Sequence, residues 1–167
     1  MPIHPDHRRR LARSPSDYLP VMARAAFQAG LSWAAIDRQW PLLCKAFDGF
    51  DARKVARYGA ADVKRILAYP GIVHSEAKIR GTVHNAKTLR ALENEFGSVR
   101  RYLRSHATYA ALTADLKRRF KYVGSISAYY FLYRVGEPVP PFARWIKSVE
   151  GDHPRIREMV GRHTSRP

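Results

Sequence analysis

Cysteine is nearly missing from this sequence. Its 167 residues contain one, Cys44, which excludes an intramolecular disulfide and a zinc site built on a cysteine pair. Long apolar runs are missing too; none approaches the roughly 18 residues that a membrane-spanning helix requires. The opening residues Met1-Pro2-Ile3-His4 lead into Arg8-Arg9-Arg10 without the apolar stretch of a secretory signal. A cytoplasmic chain with no membrane partner is therefore expected. Acidic residues are scarce, 14 against 30 lysines and arginines, for a net charge of +16. No segment sustains the alternation of a strand, and no internal repeat is visible.

What is present is enough apolar material for one domain: 46% of the chain is hydrophobic and 11% aromatic, more than a disordered chain carries. The basic excess favours a polyanionic partner. Nucleic acid ranks ahead of anionic membrane, because the basic residues are dispersed rather than gathered on one amphipathic helix. A soluble basic protein without such a partner is the plain alternative.

Helix punctuation runs through the chain. Ser14-Pro15-Ser16-Asp17 reads as an N-cap, a proline at the first helical position and an acidic third residue. It predicts a helix from about Pro15 to Gln28, with Leu19, Met22, Ala23, Ala26 and Phe27 inward and Gly30 just past its end. Ser32 is placed to cap a second helix whose apolar stripe is Trp33, Ile36, Trp40, Leu43, Cys44 and Phe47. Shorter helices are expected around Val55 and around Val63, Ile66 and Leu67. A turn at Pro70-Gly71 precedes a long helix from Ser75 to Phe96. Helices over Ser98–Arg104, Tyr109–Arg118 and Ser125–Val135 follow, then an extended Glu137–Pro141 and two short helices within Phe142–Val160. Residues 1–13 and 161–167 read as disordered tails, which leaves one all-α domain over residues 14–160.

Two places carry chemistry. At Phe120-Lys121-Tyr122-Val123-Gly124-Ser125 a helix ends, a short hairpin follows and another helix begins. A helix-hairpin-helix element of this form presents backbone N–H groups at the new helix start, and these bind a phosphate. Lys117, Arg118, Arg119 and Lys121 add charge on the approach. A helical corner with a solvated basic face is the alternative. At Gln28-Ala29-Gly30-Leu31-Ser32-Trp33 one helix stops and another starts, which places an aromatic ring beside polar groups. Such a ring can stack on an extruded base, and the more strongly if that base is cationic. Trp33 also fits the core stripe, and periodicity alone favours the core reading over the pocket.

That glutamine-to-tryptophan stretch resembles the signature of DNA-3-methyladenine glycosylase I. The similarity continues through Phe47-Asp48-Gly49-Phe50-Asp51, Val55-Ala56, Asp62-Val63, Gly71-Ile72-Val73, Ala77-Lys78-Ile79, Asn85-Ala86 and Phe120-Lys121-Tyr122-Val123-Gly124. The pieces keep their order from about Tyr18 to Gly136. The resemblance implies the fold of the helix-hairpin-helix glycosylases and monofunctional excision of alkylated adenine from double-stranded DNA. It implies a base pocket of Trp33 and Gln28, with Ala25 beside them, in a cavity opening toward the hairpin; the family's N-terminal stretch, which supplies a pocket tyrosine, does not align beyond about Ser14, and Tyr18 is the candidate for that space. It implies DNA contacts at Lys121, Tyr122, Val123, Gly124, Ser125 and Lys78.

Two departures stand out. Family members carry a glutamate three residues before the signature glutamine, where this chain has Ala25. The family also ties its ends with a zinc ion held by cysteines and histidines. Here no cysteine lies near either end, His4, His7, His153 and His163 read as solvated, and no metal or cofactor is expected. Loss of the carboxylate does not forbid the reaction. A methylated adenine is cationic and departs as a neutral base, so a general acid is dispensable. Flipping the base, holding it and rejecting normal adenine are the main tasks. Glu137 is the candidate replacement acid, with an ordinary loop glutamate as its alternative; Glu76 and Asp17 follow. Lys78 reads as a solvated or phosphate-facing lysine rather than a Schiff-base former, and Asn85 as a buried amide tying down a loop. A monomer acting on damaged duplex DNA is expected. The competing reading is a DNA-binding module that keeps the fold with weakened or absent chemistry.

Overall fold

The computed structural model describes residues 9–149. The expected C-terminal tail and the last part of Phe142–Val160 lie outside them. Nine α-helices occur among the described residues, with no strand: α1 (Pro15–Gln28), α2 (Trp33–Ala46), α3 (Ala52–Val55), α4 (Ala60–Leu67), α5 (Glu76–Phe96), α6 (Val99–Arg104), α7 (Tyr109–Arg119), α8 (Ser125–Arg134) and α9 (Phe142–Trp145). The all-α expectation holds.

The caps act as the sequence implies. The Asp17 carboxylate accepts from the backbone N–H groups of Arg13 and Ser14 at 2.8 and 3.1 Å, closing the start of α1. The Ser32, Ser75 and Ser98 hydroxyls accept from the N–H groups of Ala35, Lys78 and Arg101. The Asp51 carboxylate caps α3 through Arg53 and Lys54. The serine and Asp51 caps satisfy first-turn donors that the helices themselves leave orphaned.

The long helix α5 is the organising element, packed against α1, α3, α4 and α6; α8 packs on α1 and α7. The core interleaves Leu19, Met22 and Phe27 of α1 with Ile79, Ala86 and Leu89 of α5 and Phe131 and Leu132 of α8. Beyond α8, Trp145 stacks on Tyr129 with centroids 4.0 Å apart and forms a small satellite cluster.

One boundary differs from expectation. Residues 10–12 lie along the end of α8, where Arg10 and Ala12 donate backbone hydrogen bonds to Arg134 and Val135 at 2.8 and 3.2 Å. Ala12 is buried. The ordered domain therefore starts before Ser14. The basic residues that read as a tail conceal one small apolar residue and main-chain groups able to pair with the exposed carbonyls ending α8.

Candidate functional site

The hairpin between α7 and α8 is held from below. The Asn85 side chain of α5 donates to the Lys121 carbonyl at 3.0 Å and accepts from the Lys121 N–H at 2.8 Å. His84 Nε2 lies 2.9 Å from the Arg119 carbonyl, and the Phe120 ring is buried in the core. Gly124 precedes α8, its N–H donating to Ser127 Oγ at 2.8 Å. Lys117 Nζ donates to Ser125 Oγ at 2.8 Å. Lys121, Tyr122, Gly124 and Ser125 are exposed and Val123 half-buried. A preorganised loop loses little freedom when it takes up a ligand.

Tyr122 is unusual there. Its backbone is left-handed, with φ at 59°, a conformation that costs a bulky residue about 1–3 kcal/mol. It is also one of only two large hydrophobic side chains exposed among the described residues, the other being Leu11. Its ring lies over Gly81 of α5, where a Cβ would stand 2.8 Å from the ring. The missing side chain at Gly81 thus makes room for the tyrosine.

The α1–α2 turn differs from the expected open pocket. Trp33 is 4% exposed, with its ring centroid 5.9 Å from that of Tyr130. Tyr18 is buried against Phe131, and burial pushes its hydroxyl up to about 12. Gln28 is buried as well, while Ala25 is half-buried against the core. Trp33 is thus a core residue in this structure. That is the placement its position in the apolar stripe of α2 favoured, against the pocket role implied by the resemblance, and Tyr130 of α8 packs beside it. Gln28 keeps one telling feature: its Nε2 is buried with no hydrogen-bond partner. An orphaned buried donor costs about 1–3 kcal/mol.

The sequence reading missed the neighbour of Ala25. Arg24 is buried to 2% exposure, ion-paired with Asp37, and its guanidinium lies 5.0 Å from the Trp40 ring centroid. An arginine amid an inward-facing helix stripe was the available signal. Arg134 Nη1 donates to the Tyr130 hydroxyl at 2.6 Å. A cavity of about 690 Å³ is lined by Arg10, Arg13, Arg24, Trp40 and Arg134 with their neighbours, and not by Trp33, Gln28 or Tyr18.

Two further expectations change. The Lys78 ammonium donates to the carbonyls of Ala29 and Phe27 at 2.8 and 3.5 Å. It neutralises the carbonyl end of α1 and does not face outward for DNA. Glu137 is 2% exposed, with Arg104 Nε 3.0 Å and Arg100 Nε 3.5 Å from its carboxylate. A carboxylate so paired anchors the connection after α8 to α6. Exposed Glu76 pairs with Arg80 at 2.6 Å, and Asp17 is spent on capping α1.

The zinc of the resembling family does not fit the donors of the described residues. The sole cysteine is half-buried in α2, and no group of three His, Cys, Asp or Glu side chains among the described residues could hold a metal. His4, His7, His153 and His163 lie outside those residues.

The fold and sequence have clear relatives. The chain is 27% identical over 130 residues to DNA-3-methyladenine glycosylase of Haemophilus influenzae, covering 65% of this chain and 70% of that protein. The figures are the same for DNA-3-methyladenine glycosylase 1 of Escherichia coli. A crystal structure of a variant 3-methyladenine DNA glycosylase I in complex with 3-methyladenine superposes with a TM-score of 0.68 at 29% identity, over 78% of this chain and 82% of that one. The Staphylococcus aureus enzyme superposes with a TM-score of 0.67 at 27% identity, over 78% and 81%. The family profile described as methyladenine glycosylase matches residues 17–137, and the chain belongs to that family.

Proposed function

We propose that this protein is a monofunctional DNA glycosylase that removes alkylated bases of the 3-methyladenine type from duplex DNA, slowly and with relaxed selectivity. Tyr122 carries the reading of where DNA is held. It is an exposed ring in a strained backbone on a loop clamped by Asn85, and strain of this kind is retained where a ligand uses it. The first-turn N–H groups of α8 grip a phosphate there, with Lys121 adding charge. A water then attacks the sugar carbon once the base is extruded. The slow rate follows from Ala25, which supplies no carboxylate, and from Glu137, which is bound to two arginines. The orphaned Gln28 donor supports base recognition at the end of α1. Trp33 and Tyr130 are both buried, so a base stacking on Trp33 would need their contact to open.

That closed contact favours a second reading, a DNA-binding member of the family without excision. Methylated duplex incubated with enzyme in excess separates the two. Release of 3-methyladenine above a buffer control supports excision. Binding of lesion duplex with no release leaves the binding module.

A further inference from the structure

The arginine-lined cavity has a composition that the excision chemistry does not call for. It lies between residues 10–13, the outer side of α1, Trp40 of α2 and the end of α8, with a volume of about 690 Å³. Four guanidinium-bearing residues line it, Arg10, Arg13, Arg24 and Arg134, against one carboxylate, Asp17. That carboxylate is already engaged by the N–H groups of Arg13 and Ser14. Asp37 offsets Arg24 in part, which leaves the lining strongly cationic.

The framework is built rather than draped. Backbone hydrogen bonds join Arg10 to Arg134 and Ala12 to Val135, so the first two arginines are carried on a segment fixed to α8. Arg24 is held by Asp37 and Trp40, and Arg134 by the Tyr130 hydroxyl. The aromatic part of the lining is committed. Trp40 is stacked on Phe50 at 5.1 Å and carries the Arg24 guanidinium at 5.0 Å. The lining therefore offers positive charge rather than a free ring face for a base. Planar guanidinium forks match phosphate oxygens, and a cationic alkylated base would be repelled.

We propose that this cavity is a phosphate-binding site, taking a phosphate group through Arg10 and Arg13 at its mouth, with Arg24 and Arg134, already held by Asp37 and Tyr130, adding positive charge to the lining. Its occupant is anionic, so the site is separate in chemistry from any recognition of a methylated base. The same phosphate chemistry could be supplied by the DNA backbone or by free phosphate, and the two sources are experimentally distinct.

The test is an NMR titration of arginine Nε–Hε resonances in the full chain with inorganic phosphate, against sodium chloride at matched ionic strength. The expected result is saturable shifts at the four lining arginines. Arg13→Ala, at an exposed position, should weaken phosphate about threefold to tenfold by removing a charge-assisted contact. Arg57→Ala, outside the lining of the cavity, should leave it unchanged. In a second arm, undamaged duplex that competes with phosphate for these shifts identifies a backbone phosphate as the occupant. Phosphate binding without such competition identifies a free phosphate. Non-saturating shifts that chloride reproduces, or that spread equally to Arg57 and Arg144, would overturn the proposal, as would an unchanged affinity in Arg13→Ala. None of these outcomes depends on whether the protein excises a base.

Discussion

Asn85 and Lys121, 36 residues apart, exchange two hydrogen bonds, the amide of one with both main-chain groups of the other. This single side chain fixes the hairpin to the longest helix. Asn85→Ala would leave both Lys121 groups without their partner, at a cost of about 2–3 kcal/mol. A lower denaturant midpoint with an unchanged slope is the expected result, together with weaker duplex binding. Asn85→Asp keeps the acceptor but sets a buried carboxylate oxygen against the Lys121 carbonyl, and should cost at least as much as Ala.

Lys78 and Lys121 should behave oppositely, although both are lysines of the resembling segments. Lys121→Ala should lower the slope of log affinity against log salt by about 1, as expected when the protein neutralises one phosphate fewer. Lys78→Met should leave that slope alone and reduce stability, because its ammonium is spent on the Ala29 and Phe27 carbonyls. Duplex titrations at salt between about 50 and 200 mM and chemical denaturation read the two effects separately.

Asp115 sets an acid limit on stability. Burial works against its charge, yet hydrogen bonds from Tyr102, His106, Arg118 and Arg119 hold its carboxyl well below the usual carboxylate range. A carboxylate whose folded value is depressed stabilises above its unfolded value near 3.9 and loses that contribution as pH falls toward the folded one. Asp115→Asn should cost about 2 kcal/mol at neutral pH, below the full value for a buried pair because Arg118 is well exposed. It should also flatten the decline in stability below about pH 4, as thermal melts across pH would register.

Much of the fold was legible in the sequence, because its helices are punctuated by local signals. Ser32 caps α2 as its spacing says it should, Asp17 closes the start of α1, and the helices expected to start at Ser75 and Ser98 begin one residue later with those serines as their caps. The hairpin was legible for the same reason, and Asn85 was read as a buried amide tying down a loop, although its partner lies 36 residues away. The pocket was not. Whether Trp33 faces a cavity depends on Tyr130, nearly 100 residues later, and that depends on how α8 packs on α1. Lys78 was misread because its partners are carbonyls, which no residue pattern announces. Residues 9–13 read as a tail because their binding to α8 is through the backbone.

Gly81 offers a test that leaves the hairpin sequence intact. A Cβ there would meet the Tyr122 ring at 2.8 Å, so Gly81→Ala should displace that ring. Alanine also has the better helix propensity, by about 1 kcal/mol. Unchanged or slightly raised stability with weaker duplex binding is the expected combination. Equal duplex affinity in the two proteins would remove Tyr122 from the interface.

Retention of DNA at the hairpin is open to direct measurement, by a backbone amide NMR titration of the full chain with a short duplex containing an abasic site. The predicted result is saturable shifts concentrated at Tyr122, Val123, Ser125 and Ile126, all weakened by Asn85→Ala. Saturable binding with those four amides unmoved, and the shifts gathered elsewhere on the surface, would contradict it.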